Sequence, residues 1–192
     1  MRNIAIFASG SGSNFQAIAD VVQAGELDVN ISLLVCDKPN AYVIERALTL
    51  NIPTFIFNPK DYSTKDAYEK EIASILRNCG VEFIVLAGYM RLIGQVLLRA
   101  YEGKIINIHP SLLPDFPGKD AIGQAIAAKA KWSGVTIHYV DEGMDTGPII
   151  VQERVQLDEH ETRESLQEKI QSIEHKLYPS ILQMLLQARR DQ

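Results

Sequence analysis

Asn107, His109 and Asp145 are the side chains of this sequence best suited to chemistry. Asn107 and His109 stand two apart in Asn107-Ile108-His109-Pro110-Ser111-Leu112-Leu113-Pro114, where an Ile-rich segment ends. That segment, Lys104–His109, reads as a buried strand, and alternate strand residues share a face. The amide and the imidazole therefore point the same way. An Asn in such a strand is costly to bury without a partner, so two polar groups on one face point to a site. Asp145 lies in Asp141-Glu142-Gly143-Met144-Asp145-Thr146-Gly147-Pro148, a loop able to bring a carboxylate to the ring. A carboxylate there favours the protonated imidazole. An imidazolium and an amide N–H₂ can both donate to a developing oxyanion. The chemistry in outline is proton transfer with oxyanion stabilisation. A hydrogen-bonded core histidine and a turn-capping Asp145 are the plainer structural readings.

These residues need elements that converge on them. Apolar runs of strand length cover Ile4–Ala8, Ile31–Cys36, Thr54–Phe57, Phe83–Ala87, Lys104–His109, Val135–Val140 and Ile149–Val155. The first five carry few polar residues, as strands covered on both faces do. Helical patterns fall between them at Asn14–Gln23, Tyr42–Leu50, Ser63–Cys79, Gln95–Tyr101 and Ile122–Ala130. Ser63 and Asp66 have capping-box spacing. A last helix begins near Thr162 and aligns Leu166, Ile170, Ile173 and Leu177, with Pro179 expected to kink or interrupt it. The sequence thus predicts an α/β fold: a Rossmann-like, mostly parallel twisted sheet of about seven strands with helices on both faces, residues 1–192 forming one domain. Ligands of such sheets gather at the carboxyl ends of the strands. The loops 9–14, 88–94, 109–118 and 141–147 lie there.

The first of these loops is Ser9-Gly10-Ser11-Gly12-Ser13-Asn14. Its glycines let backbone N–H groups approach an anion, and the following helix adds unpaired donors. A tight turn capped by Ser13 or Asn14 is the alternative. Phe15 stands where a dinucleotide fingerprint needs its third glycine, and no Gly-Lys-Ser/Thr follows, so a single phosphomonoester fits best.

A formal charge of −5 and the absence of a long basic run argue against a nucleic-acid surface; Arg189-Arg190 reads as a solvated tail. Cys36 and Cys79 form neither a CxxC pair nor a metal spacing and read as reduced thiols of a cytoplasmic protein. No run reaches membrane-spanning length.

Gly10–Phe15, Ala87-Gly88-Tyr89-Met90-Arg91, Asn107–Pro114 and Asp141–Pro148 together resemble the phosphoribosylglycinamide formyltransferases, folate-dependent enzymes of purine synthesis. The resemblance extends to Glu174-His175-Lys176-Leu177-Tyr178-Pro179, nearly the whole chain. It implies transfer of the formyl group of 10-formyltetrahydrofolate, a co-substrate, to the amine of glycinamide ribonucleotide on the route to IMP. It implies small-molecule substrates, no metal, no nucleic acid, no membrane, and a monomer or homodimer. By this resemblance Asn107 and His109 stabilise the oxyanion, His109 is the general acid, and Asp145 keeps the ring charged and organises proton transfer with a water. Gly12, Ser13 and Asn14 match phosphate contacts. Glu174 matches the residue at the amino or ribose end, with Gln171, Ser172 and Ile173 beside it. Met90, Arg91, Leu92 and Ile93 match the folate-side strip, Arg91 suiting a carboxylate. Asp141, Glu142, Gly143, Met144 and Asp145 would close over the pterin beside Asn107. Lys65 stands where the family often has Arg, keeping the charge without the planar fork. His138 reads as a supporting residue. The related tRNA-directed transferase would need a second, basic domain, and the hydrolase a domain ahead of the strand at Ile4. A sugar-nucleotide transferase has no clear use for the phosphate turn. A non-catalytic nucleotide sensor would have no need of Asn107, His109 and Asp145 together.

Overall fold

The computed structural model describes residues 1–188; the Arg189-Arg190 pair lies outside them. Seven strands form one sheet in the order β3-β2-β1-β4-β5-β6-β7. They are β1 (Arg2–Ala8), β2 (Val29–Cys36), β3 (Thr54–Ile56), β4 (Phe83–Leu86), β5 (Ile105–His109), β6 (Trp132–Tyr139) and β7 (Ile149–Gln156). The first five are parallel, and β6 runs antiparallel to its two neighbours, β5 and β7. The helices are α1 (Ser13–Gln23), α2 (Val43–Thr49), α3 (Lys65–Asn78), α4 (Gln95–Ala100), α5 (Ala121–Ala127) and α6 (Arg163–Ala188). The period-two alternation of β1 builds two cores: Ile4, Ile6 and Ala8 face α1, α2, α5 and α6, whereas Ala5 and Phe7 face α3 and α4. Strand order reverses between β1 and β4, which opens a crevice at their carboxyl ends.

Local chemistry departs from the sequence reading in three places. Neither Ser13 nor Asn14 caps α1. Gly12 occupies the N-cap at φ +76° with no side-chain cap, and a Cβ there would meet Val43 Cγ2 at 2.5 Å. The glycine lets α2 press against the turn. Helix α3 is capped by Thr64, whose hydroxyl accepts from the Ala67 amide at 3.1 Å, so Ser63 lies one residue too early. Asp120 caps α5 through the Gly123 amide. Pro179 does not interrupt α6, which continues to Ala188. Buried Ile170, Tyr178, Ile181 and Leu182 straddle the proline on one packed face and hold the helix together on both sides of it. Both cysteines are free thiols, and burial pushes that of Cys36 up.

Tyr178 ties this helix to the floor of the crevice. Its wholly buried hydroxyl donates to the carbonyls of Leu86 at 2.8 Å and Ile106 at 3.3 Å, at the ends of β4 and β5. Tyr178→Phe should therefore cost about 1–3 kcal/mol by leaving a buried carbonyl unpaired. Urea unfolding measures this; a cost near zero would mean that the carbonyls need no such partner. No helix of the described residues is long and apolar enough to cross a membrane.

Candidate active site

Strand pairing assembles the polar cluster. In β5, Asn107 lies opposite His138 of β6, and residues opposite each other in an antiparallel pair share a face. Asn107 Nδ2 is 3.2 Å from His138 Nε2. After β6 the chain turns back tightly: Tyr139 donates its N–H to the Pro148 carbonyl, and a Cβ on Gly147 would meet the Tyr139 oxygen at 1.8 Å. Only a glycine permits that approach, and the return carries Asp145, at φ +56°, to the end of β5.

Asp145 stands between two imidazoles. Its Oδ2 is 3.5 Å from His109 Nδ1, and its Oδ1 is 3.7 Å from His138 Nε2. The Gly118 amide donates to Oδ2 at 2.7 Å. Burial by itself pushes this carboxyl up, but the His138 ring, the Gly118 amide and the charge of His109 together hold it below the ordinary carboxylate range. Asp145 is therefore a carboxylate near neutral pH.

The carbonyls beside the rings assign their protons. His109 Nε2 lies 2.9 Å from the Phe116 carbonyl, which can only accept, so Nε2 carries hydrogen and Nδ1 faces Asp145. His138 Nδ1 likewise donates to the Tyr139 carbonyl at 2.8 Å. Its Nε2 can accept from Asn107 or, when protonated, donate to Asp145. His138 thus touches both other polar groups, a closer involvement than a merely supporting residue at a distance.

These groups open onto a cavity of about 800 Å³. Asn107, His109 and Asp145 line it, and so do Asn14, Met90, Arg91, Leu92, Ile93, Asp141, Gly143, Met144, Gln171 and Glu174. Gly12, Ser13, Lys65, Glu142, Ser172 and Ile173 lie outside its lining. Ser13 faces a separate groove with Arg46 and His175. Ile173 packs on the core and Ser172 is exposed, because the helical period presents Gln171 and Glu174 to the cavity instead. Glu142 accepts from Gln95 Nε2 at 3.1 Å. Lys65 begins α3 with its stem against Gly94 and Glu69. Buried Glu69 accepts from the Gly94 amide at 2.6 Å, at the start of α4, and so holds the end of the loop 88–94.

Sequence reading named Gln171 and Glu174 of the helical wall but missed Arg163 and Gln167. Arg163, Gln167, Ile170, Gln171 and Glu174 line the cavity along α6. Their spacing of three and four residues carries the signal, since polar residues there follow the helical period. The Gly118 amide gave no signal beyond a Pro-Gly turn.

At the cavity's Asn14 end, Glu174 is buried and accepts from Asn14 Nδ2 at 3.0 Å. Burial pushes its carboxyl up to about 7, against the lowering effect of Asn14. The folded protein thus holds a proton between the ordinary value of 4.5 and about 7 that the unfolded chain releases, so stability falls as pH rises through that window. Glu174→Gln should therefore gain on the parent by roughly 2–3 kcal/mol at pH 8 and by little at pH 4.5. Urea titrations at the two pH values check it; a pH-independent difference would contradict it.

A mostly parallel α/β sheet with an amide, imidazoles and a carboxylate at its strand ends defines an enzyme of acyl-type group transfer. Residues 2–182 match the family model for formyl transferase, and the chain belongs to that family. Within it the chain stands with the phosphoribosylglycinamide formyltransferases. The phosphoribosylglycinamide formyltransferase of Bacillus subtilis (strain 168) is 58% identical over 97% of this chain and 95% of its own. The crystal structure of glycinamide ribonucleotide transformylase 1 from Geobacillus kaustophilus superposes with a TM-score of 0.95 at 59% identity, covering 97% of this chain and 99% of that one. The trifunctional purine biosynthetic protein adenosine-3 of Drosophila melanogaster is 37% identical over 96% of this chain, which spans 14% of that longer protein. Among the described residues no group of His, Cys, Asp and Glu has the arrangement to hold a metal ion.

Proposed function

We propose that this cavity carries formyl transfer from 10-formyltetrahydrofolate to the amine of glycinamide ribonucleotide, in purine biosynthesis. The single observation that supports the site assignment most is that Asn107, His109 and Asp145 border one cavity, with an apolar loop on one side and Asn14 and Glu174 on the other. The loop offers Met90, Leu92 and Ile93 to a flat pterin. The first-turn amides of α1, left without a side-chain cap, suit a phosphate with Gly12, Ser13 and Asn14. Glu174, beside Gln171, suits the amino or ribose end of the acceptor.

The mechanism follows from the charges. The neutral amine attacks the formyl carbon, and its carbonyl oxygen becomes an oxyanion. Asn107 Nδ2 donates to that oxygen, as does the protonated ring of His109. As the oxyanion collapses and the bond to N10 of the folate breaks, the ring supplies a proton to N10, and the attacking nitrogen, cationic after addition, gives up the balancing proton through a water beside Asp145. His109 Nε2 is engaged by Phe116, so proton delivery requires that bond to be exchanged for one to the substrate. Asp145, between the two rings at 3.5 and 3.7 Å, sets with His138 the orientation of the polar groups.

Folate absorbance tests the assignment when glycinamide ribonucleotide is added or withheld. Turnover only with the acceptor is expected. Release of formate without it would indicate a hydrolase, and binding without turnover a sensor.

A further inference from the structure

The folate-side loop rests on a buried carboxylate that the proposed chemistry does not use. Asp37 directly follows β2, and its side chain is 1% exposed. One oxygen accepts from the Ser9 hydroxyl, at the end of β1. The other accepts from Arg91 Nε at 2.7 Å. The same Ser9 oxygen accepts from the Met90 amide at 2.9 Å, while the Ser9 amide donates to the Gly88 carbonyl at 3.1 Å. Tyr89 packs edge-on against Phe7, with ring centroids 5.3 Å apart. The segment from Gly88 to Arg91 is therefore pinned at every residue. A carboxylate this deeply buried is costly unless paired and hydrogen-bonded. Arg91 supplies the pairing and still lines the cavity with its side chain 40% exposed.

We infer that Asp37 is a positioning residue for the formyl donor: it fixes the Met90 amide through Ser9 and the Arg91 guanidinium directly, and so shapes the cavity wall they form. The inference rests on the reading of that wall as the folate side. A carboxylate gives two donors an acceptor each. A carboxamide keeps an acceptor for Arg91 and can reverse the bond to the Ser9 hydroxyl, but it removes the negative charge that pairs with the guanidinium.

Steady-state kinetics with both substrates tests this on Asp37→Asn and Ser9→Ala. Asp37→Asn should raise the KM for 10-formyltetrahydrofolate about tenfold, the effect of replacing an ion pair by a neutral acceptor at a buried position. Ser9→Ala removes only the Met90 arm, leaves the ion pair, and should raise it about threefold. In both, kcat and the KM for glycinamide ribonucleotide should stay within about twofold, a split that a general loss of structure would not give. An unchanged donor KM in both variants, or equal changes in both KM values, would overturn the inference while the parent enzyme remained active. A parent with no formyl transfer would instead overturn the functional reading beneath it. Should Asp37→Asn fail to fold, Ser9→Ala alone decides.

Discussion

Replacing Asn107 with alanine should lower kcat by about 10²–10³-fold, the usual cost of removing one donor from a preorganised oxyanion site. The amide is held from β5 by its register with β6, and its Nδ2 lies against His138. A donor fixed by sheet pairing needs no reorganisation as charge develops. Because the interaction strengthens only in the transition state, kcat should fall while both KM values change little. Truncation also removes the 3.2 Å contact to His138 without touching the packing of Ile106 and Ile108, which face the core. A kcat within about threefold of the parent would remove Asn107 from the chemistry, given the magnitude expected of such a donor.

Asp145→Asn should be comparably severe, lowering kcat by about 10²–10⁴-fold, the range associated with disabling a general acid–base system. The substitution keeps shape and leaves an oxygen for the Gly118 amide, so the loop persists. What disappears is the negative charge 3.5 Å from His109 Nδ1 and 3.7 Å from His138 Nε2. Without it the ring loses the anionic partner that fixes its orientation. The parent carboxyl is held below its ordinary value of 3.8, so its pairing stabilises the fold above that pH and is lost as pH falls further. The variant should therefore be less stable than the parent at pH 7, and the gap should close in acid. Retention of near-parental turnover would leave Asp145 with loop shaping alone.

The sheet was legible from the sequence because its inner strands are apolar on both faces and its helices carry apolar stripes. The proposed catalytic pair stands out in the sequence for a related reason. Asn107 interrupts Ile105, Ile106 and Ile108, and in a strand the next residue on its face is His109. What stayed hidden depends on distant contacts. The role of His138 follows from antiparallel register across β5 and β6, which no local pattern encodes. The Asp37–Arg91 pair joins the segments that follow β2 and β4, neighbours only because those strands flank β1. Pro179 reads locally as a break, yet the packing of Tyr178, Ile181 and Leu182 overrides it.

A crystal structure with glycinamide ribonucleotide and a non-transferable folate analogue bound together would show where the reacting atoms sit. The acceptor amine and the formyl position should lie in contact with each other between Asn107 and His109, with the pterin against Met90–Ile93 and the phosphate at Gly12–Asn14. Ligands seated elsewhere, or a reacting centre out of hydrogen-bond reach of both Asn107 and His109, would contradict the proposed mechanism.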